Sequence, residues 1–221
     1  MIRNQSCASA PRLPSRITTI ASVGLIIFLS VPAIAKTKPP LQFCVNHSGS
    51  AGCFTTIQGA VAMVPAGAKA VIMIEGDNAP YFENVSVSDA TISFVGAGAG
   101  MTIVDGSSSS NLPTFMFRNN SNGELHQMTI QNGKALEGRN VSFCQFKGKT
   151  SIEVGTLRIE NCEITGGTFP TGDLPEGAVD FDGKTLIIDS TSIVNNVDKG
   201  IAIGSIRGSS ARVHHQHDDQ W

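Results

Sequence analysis

Charge is scarce in this sequence. Only 15% of its 221 residues are Asp, Glu, Lys or Arg, against roughly 25% in an average soluble protein. Aromatic side chains make up 6%, with one Tyr and one Trp. There is no basic excess. Sixteen Lys and Arg stand against 18 Asp and Glu, a net charge of −2, which argues against a protein that works by neutralising nucleic-acid phosphates. A hydrophobic content of 41% excludes a highly charged, disordered chain. No CxxC or Cys/His zinc spacing occurs, and no cofactor motif is read. Helical periodicity is missing from most of the chain, and past residue 35 no apolar run is long enough to span a bilayer. What is abundant is Gly, 23 residues, set among Val, Ile, Ser and Thr. That composition predicts many short strands and tight turns.

Residues 1–35 have the form of a secretory signal. Arg3, Arg12 and Arg16 make a basic start without acidic residues, Ile17 to Ile34 is apolar and small, and Ala33-Ile34-Ala35 offers the small-x-small cleavage pattern. An uncleaved anchor is the alternative, diluted by Thr18, Thr19, Ser22 and Ser30. Cleavage of 35 of the 221 residues, three Arg among them, leaves 186 residues with 13 basic and 18 acidic side chains, net −5. The expected product is secreted or periplasmic, with no membrane span. Residues 36–52 then form an N-terminal extension, 53–206 the folded domain and 207–221 an irregular His- and Asp-rich tail.

Four cysteines follow the signal: Cys44, Cys53, Cys144 and Cys162. Export makes disulfides possible. Cys44 and Cys53 flank a short Gly- and Ser-containing loop, so a local bridge is expected there, with two free thiols as the alternative.

The domain repeats imperfectly. Leu157, Ile159 and Ile164 align with Leu186, Ile188 and Ile193 at an offset of 29, and Gly166-Gly167 aligns with Asn195-Asn196. Val141, Cys144, Phe146 and Gly148 align with Ile159, Cys162, Ile164 and Gly166 at an offset of 18, and Met128 to Gly133 fits the same frame. Alternating apolar residues mean strands with one buried face. The Gly and Asn that follow tolerate the left-handed angles of a corner. The predicted architecture is all-β, a right-handed single-stranded parallel β-helix of ~20 residues per coil stacked ~4.8 Å apart. About 150 residues then give roughly six to eight coils. Ile130, Phe146, Ile164 and Ile193 form one expected inward ladder, and Cys144 over Cys162 another, either as small buried hydrophobes or as a bridge. Thr56 to Val64 is the one predicted helix, with Thr55 and Gln58 as a capping box and Ile57, Ala60, Val61 and Val64 as its apolar face. It is expected to cover the open N-terminal end of the solenoid.

Cys53-Phe-Thr-Thr-Ile-Gln-Gly-Ala-Val61, Gly67 to Ile74, Tyr81-Phe-Glu-Asn-Val85, Ile92 to Gly98 and Thr102-Ile-Val-Asp-Gly106 together resemble the opening of pectin-lyase-like β-helix proteins. That group includes pectinesterases and many secreted bacterial β-helix proteins. Leu157 to Cys162 and Gly200 to Val213 look like the latter. The resemblance spans about residues 53–213 and implies the fold more than an activity.

By similarity to a pectinesterase Val-Asp-Phe stretch, Asp180 would be the catalytic nucleophile or base. The accompanying Gln-Asp-Thr and Arg-x-Trp segments are missing. A lyase would use an Arg or Lys base beside acidic calcium ligands, but Arg139, Arg158 and Lys184 are scattered along the chain. Asp173, Glu176, Asp180, Asp182 and Asp189 form an acidic concentration suited to a hard cation, although no calcium-loop spacing is present and no metal site is assigned. Asp173, Glu176 and Asp182 are therefore the candidate binding residues. The run from His214 to Asp219 offers only adventitious metal ligands, and sequons occur at Asn46, Asn84, Asn119 and Asn140. The functional expectation is an exported β-helix protein without a complete catalytic set that binds a carbohydrate or a surface, with a polysaccharide as its partner. The alternatives are a carbohydrate-active enzyme of pectinesterase or polysaccharide-lyase type and a truncated remnant. No sequence feature specifies an oligomeric state.

Overall fold

The described strands form three parallel sheets, which the chain visits in strict rotation after its first strand. A computed structural model describes residues 38–109, 112–133, 141–144, 155–168, 178–196, 201–203 and 210–214. All of them fall in the second of two units, Lys38–Trp221; the first is Met1–Thr37, so the predicted signal lies outside the described residues. Sheet A holds β1 (Leu41–Val45), β2 (Lys69–Ile74), β5 (Thr91–Val95), β8 (Asn122–His126), β11 (Thr156–Glu160), β14 (Thr185–Asp189) and β17 (Ser210–His214), in that order. Sheet B runs β3 (Pro80–Phe82), β6 (Ile103–Asp105), β9 (Thr129–Gln131), β12 (Glu163–Thr165) and β15 (Ser192–Val194). Sheet C runs β4 (Val85–Ser88), β7 (Phe115–Arg118), β10 (Val141–Cys144), β13 (Val179–Asp182) and β16 (Ile201–Ile203). Among the described residues the structure is thus all-β and parallel, with one short α-helix, α1 (Ile57–Ala62), consistent with a parallel β-solenoid. No helix among the described residues is long and apolar enough to cross a membrane.

Alternation produces the core. In sheet A, Ile72, Phe94, Leu125, Ile159 and Ile188 occupy one register row and are buried. Sheet B contributes Tyr81, Val104, Ile130, Ile164 and Ile193. Phe115 and Phe117 of β7 meet Phe94 edge-on, with ring centroids 5.2 and 6.4 Å away. The low charge of the sequence reflects these continuous inward rows.

Three corners from sheet A to sheet B, β8–β9, β11–β12 and β14–β15, take two residues. Gln127, Asn161 and Ser190 adopt φ of 56°, 53° and 49°, and the next residues, Met128, Cys162 and Thr191, turn inward and are buried. Backbone bonds stack these corners, Glu163 N donating to Met128 O at 3.0 Å and Ser192 N to Cys162 O at 2.9 Å.

The 29-residue alignment matches the register, with Leu157 on Leu186, Ile159 on Ile188 and Ile164 on Ile193. The 18-residue alignment does not. Val141–Cys144 belongs to sheet C and pairs with Val179–Asp182 and Phe115–Arg118. Cys162 stacks between Met128 and Thr191, so the expected Cys144–Cys162 ladder is replaced by one that mixes residue types. Phe146 lies outside the described residues, while Ile130 reaches Ile164 across 34 residues. Paired residues in sheet A lie between 22 and 34 apart, as Lys69 with Thr91 and Gly123 with Leu157, longer than the predicted coil. The reason is physical: each strand carries the same period-two pattern, and corner insertions change its spacing without changing its face.

Two segments read as lying outside the repeat take part in it. Leu41–Val45, in the predicted extension, pairs with β2, and Ser210–His214, in the predicted tail, pairs with β14. Helix α1 starts on Thr56, not Thr55; the Thr56 hydroxyl accepts from Gly59 N at 3.1 Å. Glu83 completes the cap, its carboxylate accepting from Ile57 N at 2.8 Å and Gln58 N at 2.9 Å. The Gln58 amide imitates a strand. Its Oε1 accepts from Ser86 N at 2.7 Å and its Nε2 donates to Ser86 O at 3.4 Å, satisfying the outer edge of β4.

Candidate functional site

The largest described group of interacting charges lies on the outer face of sheet A. Strands β8 and β11 alternate between half-buried and buried residues, so Glu124 and His126 share one face with Arg158 and Glu160. Register places Glu124 opposite Arg158 and His126 opposite Glu160. His126 Nδ1 lies 3.3 Å from Glu160 Oε2, and His126 Nε2 lies 3.5 Å from Glu124 Oε2. Arg158 Nη1 donates to Glu160 Oε1. Opposite charges facing each other across neighbouring strands stabilise the pairing modestly. Chemically, the group offers two carboxylates, an imidazole and a guanidinium within two adjacent strands.

Beside it runs a neutral row. Thr91, Asn122, Thr156 and Thr185 occupy matching positions on four successive strands. Asn122 Nδ2 donates to Thr91 Oγ1 at 3.1 Å, and Asn122 Oδ1 accepts from Thr156 N at 2.8 Å. The row presents hydroxyl and amide groups about 4.8 Å apart. Toward β1 the same face becomes apolar. There a cleft of about 290 Å³ is lined by Cys44, Cys53, Met73, Val95 and Ala97, with Asn46 and Glu75 among its polar residues.

The predicted site is elsewhere. Asp180 lies in β13 of sheet C, half-buried, with Ser142 and Ala202 as its register neighbours and Met116 next in that row. Among the described residues, this register row holds no second carboxylic acid and no cation. Asp182 ends the same strand opposite Cys144, while Asp173 and Glu176 lie outside the described residues. Asp189 is on sheet A, in the row of His126 and Glu160, so the acidic run is divided between two sheets. Among the described residues no group of three His, Cys, Asp or Glu converges to hold a metal ion.

Cys44 and Cys53 are joined by a disulfide. Cys162 is a buried free thiol, pushed up to about 11 by burial. Tyr81 is buried and donates to Glu75 O at 3.2 Å. Burial, with Asp77, Glu75 and Glu83 nearby, pushes its hydroxyl up to about 12. The His47 ring covers it at a centroid distance of 4.0 Å, and His47 Nδ1 lies 2.9 Å from Asp77. The lone tyrosine is thus a packing residue and offers no platform to a sugar.

Sequence reasoning passed over Glu124, His126 and Glu160 and treated Arg158 as isolated. The available signal was spacing: Glu-x-His and Arg-x-Glu on alternating strands put each pair on one face. Joining the pairs needed the 34-residue register. No protein-family model matches the chain, and no curated protein is significantly similar to it.

Proposed function

We propose that this chain is an exported, right-handed parallel β-helix of the pectin-lyase-like kind that binds an extended polysaccharide along the outer face of sheet A without a complete catalytic set. The observation that carries the reading is the neutral row Thr91, Asn122, Thr156 and Thr185 beside the Glu124, His126, Arg158 and Glu160 group. A row of polar groups repeated at the strand spacing suits a polymer of similar repeat, and contacts of modest strength add along its length. The secreted or periplasmic location follows from the signal-like residues 1–35, and the polysaccharide partner from the resemblance together with this face.

A second reading has its own support. Arg158 lies within hydrogen-bonding reach of Glu160 and opposite Glu124, so a residue of the type a lyase uses as its base stands beside acidic side chains. One experiment separates the two. The chain beginning at Lys36 is assayed against polyuronates, esterified pectin and neutral glucans for retention on the polymer and for product. Retention without product, weakened several-fold by Arg158→Ala and Thr156→Val, supports binding. Unsaturated product lost in Arg158→Ala, or methanol release lost in Asp180→Ala, establishes the enzyme instead. Neither retention nor product on any polymer refutes both readings.

A further inference from the structure

We propose that the Cys44–Cys53 bond is a redox latch that holds a cover over the outer edge of β1. Because β1 is the terminal strand of sheet A, its outer edge is a template onto which another chain can add. Neighbouring edges at this end are blocked by other means. Gln58 fills that of β4, and β3 begins with Pro80, which has no N–H to offer.

The cover of β1 is Phe54. It forms a parallel bridge with Val45, donating from its N–H to Cys44 O at 2.8 Å and accepting from Asn46 N at 2.9 Å. The disulfide ties the residue before Phe54 to the residue before Val45. The loop it closes is not relaxed. Ala51 adopts φ 56°, a left-handed conformation that a residue with Cβ disfavours. Gly49 and Gly52 are also left-handed. Asn46 organises the turn, its Oδ1 accepting from Ser50 N at 3.1 Å and Ser48 Oγ at 3.2 Å. With the bond broken, Phe54 keeps its two backbone hydrogen bonds to β1 and its edge contact with Phe43, and the loop keeps the Gly49 N to Asn46 O and Cys53 N to Ser50 O bonds with the Asn46 side chain, but no covalent tie holds the left-handed turn against solvent.

The chemistry is accessible. Both half-cystines are partly exposed and line the open cleft beside Met73 and Val95. A dithiol reductant attacks the bond, its two thiols giving up two electrons and two protons as they form their own disulfide, and Cys44 and Cys53 become thiols. Cys162 does not compete, because a buried thiol that stays protonated at neutral pH is a poor nucleophile.

Amide hydrogen exchange of the full folded chain, with and without a dithiol at one pH, decides the matter. Reduction is expected to speed exchange at Asn46 and Phe54 on the order of tens-fold, the scale of the lost loop constraint, while β8 and β11 keep their protection. Cys53→Ser in non-reducing buffer is expected to reproduce the pattern. If that variant does not fold, reduction of the folded chain remains decisive. Unchanged exchange at Asn46 and Phe54 overturns the proposal. So does loss of protection throughout sheet A, which would make the bond a staple for the whole fold.

Discussion

Gly123→Ala tests the packing that sets the register of sheet A. Gly123 lies in the inward row between Ile92 and Leu157, both fully buried. A methyl group there would sit 2.4 Å from Phe117 Cε1, 2.5 Å from Cζ and 2.8 Å from Cδ1, where ordinary carbon contacts begin near 3.5 Å. Relief requires a shift of about 1 Å. Phe117 has little freedom to make it, with Phe94 and Phe115 both at centroid distances of 6.4 Å. β8 is held on both sides by β5 and β11. Overpacking of this kind costs up to about 3 kcal/mol. Replacing Gly by Ala in a strand returns about 0.5–1 kcal/mol. The expected net loss is therefore about 2 kcal/mol, a fall in Tm of about 4–8 °C for a domain of this size. Urea unfolding reads it as a lower midpoint at unchanged slope. Phe117→Leu should relieve the clash, so the double variant is expected to lose less than the sum of the single ones. A Gly123→Ala chain as stable as the parent, or more so, refutes the reasoning.

Two further outcomes follow from buried titratable groups. Burial alone would raise the Asp105 carboxyl, but donors from Ser107 N at 2.9 Å, Gln131 Nε2 at 2.8 Å and Asn132 Nδ2 at 2.7 Å outweigh it and hold the group below its ordinary value of 3.8. The stability it contributes is present above that ordinary value and is lost as pH falls through the depressed folded value. A Tm profile from pH 2 to 6 should therefore lose less on its acid side in Asp105→Asn, and identical acid limbs would count against this account. Cys162, with its thiol near 11, should resist alkylation at pH 8 until the chain unfolds. Peptide mapping after iodoacetamide treatment checks this, and rapid labelling of the native chain would show the corner to be open.

Much of the local structure was legible in residue order. Leu157-x-Ile159 and Leu186-x-Ile188 announced strands with one buried face, and their 29-residue offset is the register found. Thr56 to Val64 read as a helix for its spacing of apolar residues, and six of those residues form α1. The candidate site was less legible. Glu124 and Arg158 are opposite neighbours separated by 34 residues, and no local pattern distinguishes that pairing from the 18-residue alternative. Asp180 drew attention through a short tripeptide match, yet its row holds Ser142 and Ala202.

By itself, then, the sequence determined the alternation, the left-handed corners, the single helix and a cysteine spacing short enough for a local bridge. Each of these depends on a few neighbouring residues and their backbone preferences. Which strand lies on which was decided only by the tertiary structure. The strands among the described residues share the same parallel backbone pairing, so hydrogen bonding alone does not discriminate among partners. Discrimination comes from side chains that meet across the core, such as the Phe117 ring filling the space above Gly123. The same selection, made inside, fixes what gathers outside. Glu124, His126, Arg158 and Glu160 meet because Leu125 and Ile159, between them in sequence, stack in the core.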